Sequence, residues 1–395
     1  MRILIATSSD YRAFHGQAIF TKNLAEGLAR HGHDVQVVAA SRRGAHYEAV
    51  LNGVMVIALR SIRFKWLNPN AITALFTNNA LRKIVRSFNP EIIHIQDHYP
   101  LSRSALLAGR RTGIKLVGTN HFMPENLAAY IPFISRIKPL YNWILWHWMR
   151  FTFDQLDAVA ALSRIAKHIL EMNSVRPPAH TISCGANTGI FHPNLQVNRL
   201  EWRQKYGMDP VKKIFFFVGR VDREKRLDVL LQAAVLLNRE DFQIVIAGNG
   251  AHLRFLKKWT QKMGLTARVK FTGFLPDEDL PSVLNSIDVF AMPSEAELLS
   301  IATIQAMACA RPVLAADAVA LPELITDQEN GLLFRPGDVR DAARAMKFFL
   351  DHPESLPVMG AESLKRSKDH ALDHIVGQYE QFYRSVLGAG GLKRS

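Results

Sequence analysis

The sequence predicts an α/β protein made of two doubly wound, parallel-sheet, Rossmann-like domains in tandem. Three observations lead there. A chain of 395 residues is too long for one compact core and suits two domains of ordinary size. Short, continuously apolar runs alternate with longer stretches of helical periodicity, the pattern of strands covered by helices on both faces. After a polar, strand-poor stretch near residue 190 the same alternation starts again.

Taken in order, the first strand is expected at 2–7 (RILIAT), followed by a helical pattern at 17–31 and strands at 34–41 and 54–59. A second helical pattern occupies 71–88, and further strands fall at 92–97, 115–120, 158–163 and 180–185. This series makes a first domain over 1–187. The stretch 188–210, with Pro193, Gly207 and Pro210, reads as a linker. The second domain, 211–370, repeats the pattern with strands at 214–219, 243–248, 269–273, 289–294, 312–317 and 331–334. The amphipathic segment 371–395 follows the last unit and is expected to pack back on the first domain. Open α/β sheets bind ligands at the carboxyl ends of their strands, and helix N-termini there favour anions. Two such sheets place the expected site in a cleft between them.

Composition narrows the setting. Apolar residues at 48% and charged residues at 21% exclude a disordered or fibrous chain. Cys184 and Cys309 are the only cysteines, too few and too far apart for a disulfide framework or a structural zinc site. The opening MRILIATSS is too short for a signal-peptide core, and no apolar run approaches the roughly 18 to 20 residues of a membrane span. The expected location is the cytosol, peripheral on the cytosolic face of a membrane.

The formal charge of +14 is unevenly placed. Residues 1–190 hold 22 Lys and Arg against 10 Asp and Glu, a surplus of twelve, while residues 191–395 hold 27 against 25, a surplus of two. Solubility alone would not concentrate charge in one half, so the first half is expected to face an anionic surface. Two segments add aromatic rings to the cations. In 60–69, Arg60, Arg63 and Lys65 alternate with Ile62, Phe64 and Trp66. In 134–153, Trp143, Trp146, Trp148, Phe151 and Phe153 lie among Arg136, Lys138 and Arg150. Such mixtures suit an amphipathic segment at lipid headgroup depth, and the second also suits a helix packed through its aromatics. Nucleic acid is disfavoured as the partner because no RNA- or DNA-binding motif accompanies the charge. A dehydrogenase would need a glycine fingerprint that Gly248-Asn249-Gly250 does not supply, and an exported solute-binding protein would need a leader.

The richest segment is PSEAELLSIATIQAMACARPVLAAD, residues 293–317. A strand runs into a polar turn holding Glu297, and an apolar helix then begins near Ser300 and carries Gln305. The backbone amides of Leu299, Ser300 and Ile301 are placed to hold a phosphate or a sugar hydroxyl. Taken alone, Glu297 also fits a plain helix-start carboxylate.

This segment resembles the signature of the retaining family-4 glycosyltransferases of the GT-B fold, PSxxE-GFG-xxxx-EAMAxGxPV. Pro293, Ser294, Glu297, Ala306, Met307, Ala308, Pro312 and Val313 match it. Leu298-Leu299-Ser300 replaces Gly-Phe-Gly, Gln305 replaces the second glutamate, and Ala310 replaces the glycine before Pro-Val. Residues 218–233, VGRVDREKRLDVLLQA, resemble the family's GRxxxEK element, and FTGFLPDEDL at 271–280 resembles a loop lining the nucleotide base. In the first half, HGQAIFTKNLAEGLARHGHDVQVV at 15–38 resembles the usual Gly-Gly loop and helix, with His15 in place of the first glycine. GTNHFMPENL at 118–127 sets His121 at a strand end and resembles the branch acting on diacylglycerol-type lipids. LPELI at 321–325, with Glu323, and NGLLF at 330–334 also match, with no role derived for them.

The resemblance covers nearly the whole chain and implies GT-B architecture with two Rossmann-like domains facing across a cleft. It implies transfer of a hexose from a nucleotide-diphosphate sugar, with retention, to an acceptor hydroxyl, most readily that of a membrane lipid. A soluble sugar or polysaccharide acceptor, or a degenerate non-catalytic protein, are the alternatives. Arg220 and Lys225 would hold the diphosphate with the amides of Leu299, Ser300 and Ile301. Glu297 would contact the donor sugar, Gln305 the ribose, Gly273 and Phe274 the base, and Gly16 the close backbone approach. His121 would face the reacting sugar. No cofactor and no metal are implied; Asp277 and Asp279, spaced like a DxD pair, read as surface carboxylates.

Overall fold

The computed structural model describes residues 1–63, 72–124 and 138–388. The chain divides into two units, Met1–Gly185 with Leu372–Ser395 and Ala186–Ala371. In the first unit the strands are β1 (Arg2–Thr7), β2 (Asp34–Ala40), β3 (Tyr47–Leu51), β4 (Val54–Leu59), the two-residue β5 (Ile62–Arg63) and β6 (Ile72–Thr73), β7 (Ile92–Ile95), β8 (Lys115–Asn120), β9 (Ala158–Ala161) and β10 (Ala179–Thr181). Eight of them form one sheet in the order β10-β9-β8-β7-β1-β2-β4-β3, with β5 and β6 paired separately. Ile3, Leu4, Ile5, Val37, Val38, Ile92 and Ile93 are fully buried at its centre, as strands covered on both faces require.

The sheet departs from the expected all-parallel arrangement at one edge. β3 pairs with β4 in antiparallel register, Leu51 opposite Val54, around the two-residue turn Asn52-Gly53, whose φ values are +49° and +82°. An Asn-Gly pair with both residues at positive φ is the hairpin turn that matches strand twist. The sequence carried that signal in VLNGVMV. The expected helix at 71–88 is shorter, Asn78–Phe88, because β6 takes residues 72 and 73. The basic-aromatic stretch 60–69 lies largely outside the described residues, as do residues 134–137 of the second such stretch.

The C-terminal helix Leu372–Gly388 belongs to this first unit. Its Tyr379 and Tyr383 are fully buried. The Tyr383 hydroxyl lies 2.7 Å from His94 Nδ1, the other His94 nitrogen lies 2.8 Å from Thr119 Oγ1, and that hydroxyl lies 3.1 Å from Tyr379. A buried hydrogen-bonded chain thus ties the end of the sequence to β7 and β8.

The second unit holds β11 (Lys213–Val218), β12 (Phe242–Ala247), β13 (Val269–Gly273), β14 (Val289–Met292), β15 (Val313–Ala316) and β16 (Gly331–Phe334). They form a wholly parallel sheet in the order β13-β12-β11-β14-β15-β16. Phe215, Phe216 and Phe217 fill its middle. The expected linker 188–210 is instead part of this unit. It carries the helix Arg199–Lys205, capped by Asn198, and it is anchored because the buried Arg203 gives Asp288 a 2.7 Å ion pair and donates to the Ser286 carbonyl at 2.9 Å.

Candidate functional site

Strand order reverses direction between β11 and β14, so the loops after these two strands lie at the switch point of the second sheet, where α/β sheets take ligands. The loop after β11 contains Arg220 and a short 3-10 turn, Arg223–Lys225; the loop after β14 contains Glu297. Their backbones are joined, since the Glu224 carbonyl accepts from the Ser294 hydroxyl and the Glu295 amide, each at 3.3 Å. Lys225 and Glu297, expected to serve different parts of a ligand, form an ion pair with both side chains largely buried. Arg220 lies alongside, giving one nitrogen to Asp222 at 2.6 Å and another to Glu224 at 2.9 Å.

Asp222 also accepts from the Ala251 amide at 2.8 Å, which locks the loop after β12 to Arg220. That loop passes so close that a Cβ at Gly248 would stand 1.9 Å from the Gly219 carbonyl oxygen; only glycine fits there. The Gly248 amide donates to the Gly273 carbonyl at 2.6 Å, linking the loop after β13. Gly273 has a φ of +75°, and Phe274 after it exposes nearly half its surface. The helix Ile301–Ala308 is capped by Ser300, whose hydroxyl accepts from the Thr303 amide at 3.2 Å. Leu299 and Ile301 are half-buried and Gln305 is buried. Burial pushes the Glu224 carboxyl up, against the pull of Arg220 and Lys225.

In the first unit the order reverses between β1 and β7. The Asp97 carboxylate after β7 accepts from the Ser8 amide at 2.8 Å, the Ser8 hydroxyl at 2.9 Å and the Gln17 amide at 2.8 Å, stitching the loop after β1 and the helix Gly16–Arg30 to β7. A Cβ at Gly16 would meet nothing within 4 Å, so the protein's own packing does not demand that glycine. His121 follows β8 and packs edge-on against Phe20 at 4.8 Å. Burial, and then the nearby His15, push its pKa down to about 3, so the ring is neutral. Its Nε2 is 3.0 Å from Gln96 Oε1. Because an amide oxygen only accepts, Nε2 carries the hydrogen and Nδ1 keeps its lone pair.

Both halves of the chain match known families. Residues 198–366 match the family described as glycosyl transferases group 1, and residues 14–189 match glycosyltransferase family 4. A lipopolysaccharide core biosynthesis mannosyltransferase of Rhizobium meliloti, LpsB, is 31% identical over 251 residues, 61% of this chain and 69% of that protein. This chain is a family-4 glycosyltransferase. An alpha-monoglucosyldiacylglycerol synthase of Streptococcus pneumoniae is 25% identical over 389 residues, 95% of this chain and 86% of that protein. The solved structure of Anabaena HepE in complex with UDP-glucose superposes with a TM-score of 0.78 at 16% identity, covering 98% of this chain and all of that one, so the fold is GT-B.

Several polar groups of the glycosyltransferase had no role in the sequence reading, Asp222 and Glu224 inside the run 218–233 and the others outside any motif. Asp222 and Glu224 hold Arg220; Gln96 holds His121; Asp97 joins the first switch-point loops. His98 is 2% exposed, neither ring nitrogen has a hydrogen-bond partner, and its ring is enclosed by Trp148, Tyr99 and Phe122 at 4.5, 4.6 and 4.7 Å. Burial alone pushes its pKa down to about 3. The run QDHYP after β7 was the signal, a cluster of polar residues at a strand's carboxyl end. Asp279 of the DxD-like pair is engaged by Lys205 at 2.7 Å and by Tyr206, and Glu323 sits half-buried in the one-turn helix Leu321–Leu324. No group of three or more His, Cys, Asp or Glu among the described residues is arranged to hold a metal ion.

The helix Lys138–Phe153 turns Met149 and Phe153 into the core and leaves Leu140, Trp143, Ile144 and Phe151 at least half exposed. Arg103 stacks over the Phe151 ring at 3.8 Å. Among the described residues no helix is long and apolar enough to cross a membrane.

Proposed function

We propose that this glycosyltransferase moves a hexose, with retained anomeric configuration, from a nucleoside-diphosphate sugar to a hydroxyl of a membrane lipid. The observation that carries the donor half is the meeting of Arg220, Lys225 and Glu297 at the switch point of the second sheet. A departing nucleoside diphosphate develops negative charge, and fixed cations beside it lower the barrier. Arg220, Lys225 and the amides of Leu299, Ser300 and Ile301 would take the diphosphate, Glu297 the sugar, Gln305 the ribose, and Gly273 with Phe274 the base. Gly16 would leave room for backbone approach and His121 would offer a neutral hydrogen-bonding ring to the reacting sugar.

In the reaction, the bond from the sugar's anomeric carbon to the β-phosphate oxygen breaks, and the acceptor oxygen bonds to that carbon from the same face. The acceptor's proton passes to the leaving phosphate oxygen. No step calls for a metal or an organic cofactor.

The lipid half draws on the exposed Leu140, Trp143, Ile144 and Phe151 beside a surplus of twelve positive charges in residues 1–190, the combination that settles an amphipathic helix at an anionic interface. The likeness to a diacylglycerol-glucosylating enzyme points the same way. The protein would then work as a peripheral enzyme on the cytosolic face. The test pairs UDP-, GDP- and ADP-sugars with diacylglycerol, phosphoinositide and polyprenyl lipids and with soluble sugars, reading products by mass. A glycolipid product supports the proposal. Product on soluble sugars alone overturns the lipid acceptor, and no product with any donor points to a non-catalytic protein.

A further inference from the structure

The pairing of Lys225 with Glu297 goes beyond the separate roles given to them, and it rests on the donor reading above. Both residues are polar groups that the donor would call on, yet they satisfy each other with both side chains largely buried. A diphosphate cannot take Lys225 while Glu297 still holds it, since two anions would then crowd one ammonium with little water to screen them. Arg220 is built differently. Its carboxylate Asp222 is itself fixed by the Ala251 amide, and Glu224 is anchored through its carbonyl to Ser294 and Glu295. Arg220 is therefore held in place, whereas Lys225 has a flexible stem and, among the described residues, an ion pair with one carboxylate, Glu297.

We propose that Glu297 stands in for the diphosphate on Lys225 whenever no donor is bound, and that donor binding hands Lys225 from Glu297 to the diphosphate, releasing the Glu297 carboxylate to the sugar. The backbone need not move. The Glu297 carbonyl is tied to the Ala320 amide at 3.2 Å, and the two turns are already stitched together, so the exchange is one of side chains. The same competition acts on the product. Once the sugar has left, Glu297 has no hydroxyls to hold and returns to Lys225, which weakens the grip on the nucleoside diphosphate and favours its release.

The competition has a sign that a purely structural ion pair lacks. Titration calorimetry of the full chain with UDP, GDP and ADP, each beside its monophosphate, provides the test. Glu297→Gln should bind whichever diphosphate the wild type binds about fivefold or more tighter, the scale of a typical coupling between two sites. Lys225→Met should bind it about tenfold or more weaker, and the double variant should show none of the gain. Monophosphate affinity should not change in Glu297→Gln. Glu297→Ala, which removes the carboxylate altogether, should show the same tightening and guards against a folding defect in one variant. Unchanged or weaker diphosphate binding in both Glu297 variants, or a gain that survives loss of Lys225, overturns the hand-over while leaving the donor site standing. A wild-type protein that binds no nucleoside diphosphate overturns both.

Discussion

At the carboxyl edge of the second sheet the cations meet carboxylates: Lys225 with Glu297, Arg220 with Asp222 and Glu224, Arg226 with Glu295 and Asp228. At the matching edge of the first sheet the Asp97 carboxylate is taken up by Ser8 and Gln17, His98, Gln96, Asn120 and His121 are neutral, and several buried atoms go unpaired, among them both nitrogens of His98, Nε2 of Gln96 and Nδ2 of Asn120. Among the described residues of the second unit a single Glu224 oxygen shares that condition. The two edges thus differ in chemistry. One holds organised charge that an anion must compete for. The other holds desolvated hydrogen-bonding groups, which cost stability wherever they lack a partner.

The largest effect that would sharpen this contrast is on the charged edge. Lys225→Ala should lower kcat by about a thousandfold, roughly 4 kcal/mol of lost stabilisation of the leaving group, with the circular dichroism spectrum unchanged. Near wild-type turnover would remove Lys225 from the clamp. On the neutral edge, His121→Gln should lower kcat by about a hundredfold, on the scale of a positioned imidazole, while leaving nucleoside diphosphate affinity as it was. A loss of diphosphate affinity instead would move His121 to the donor side of the contrast.

The charged edge was also the more legible of the two in the sequence. Charge chemistry there uses few residue types at short spacing in strand-turn-helix units, so Arg220, Lys225 and Glu297 stand out in the runs VGRVDREK and PSEAE. Their mutual pairing did not show, because Lys225 and Glu297 are 72 residues apart and only the adjacency of β11 and β14 joins them. Apart from Asp97, the neutral edge is assembled from amides, histidines and hydroxyls that occur throughout any chain. His121 was readable through its strand-end position; Gln96 and Asp97 read only as the tail of a strand, and His98 just beyond it was not singled out. The alternation of apolar runs gave nearly all the strands. It missed the two-residue β5 and β6, and it missed β3, whose half-exposed pattern and Asn-Gly turn speak in a different period from buried parallel strands.

Acid should separate the two units next. His94, His98 and His121 each have a pKa pushed down to about 3 by burial, against about 6.5 when unfolded. Between those values the unfolded chain binds protons that the folded one does not, so stability is intact above pH 6.5 and falls as the pH drops. At pH 5 each histidine should cost up to about 2 kcal/mol. In the second unit Glu224 is shifted upward, which has the opposite sign. Its lowered carboxylates, such as Asp209 and Asp341, lose their contribution only near and below their unfolded value of about 4. Hydrogen exchange followed from pH 7 to 5 should show amides of β7 and β8 losing protection ahead of those of β11 and β14. Equal loss in both sheets would break the comparison.

The smallest effect isolates the unfilled groups themselves. His98→Phe keeps a planar ring among Tyr99, Phe122 and Trp148 and removes two buried nitrogens with no partner. Replacing an unsatisfied buried polar group by an apolar one of similar shape relieves a desolvation cost, so thermal unfolding should shift upward by about 2 to 4 °C, equivalent to roughly 1 kcal/mol. A downward shift would mean that the imidazole is hydrogen-bonded in solution and that the neutral edge is as well satisfied as the charged one. An upward shift means that the chain keeps a residue that burdens its fold, at the strand end next to Gln96 and His121. Stability surrendered at that position would then mark hydrogen-bonding groups that the fold itself does not use and that a hydroxyl could take.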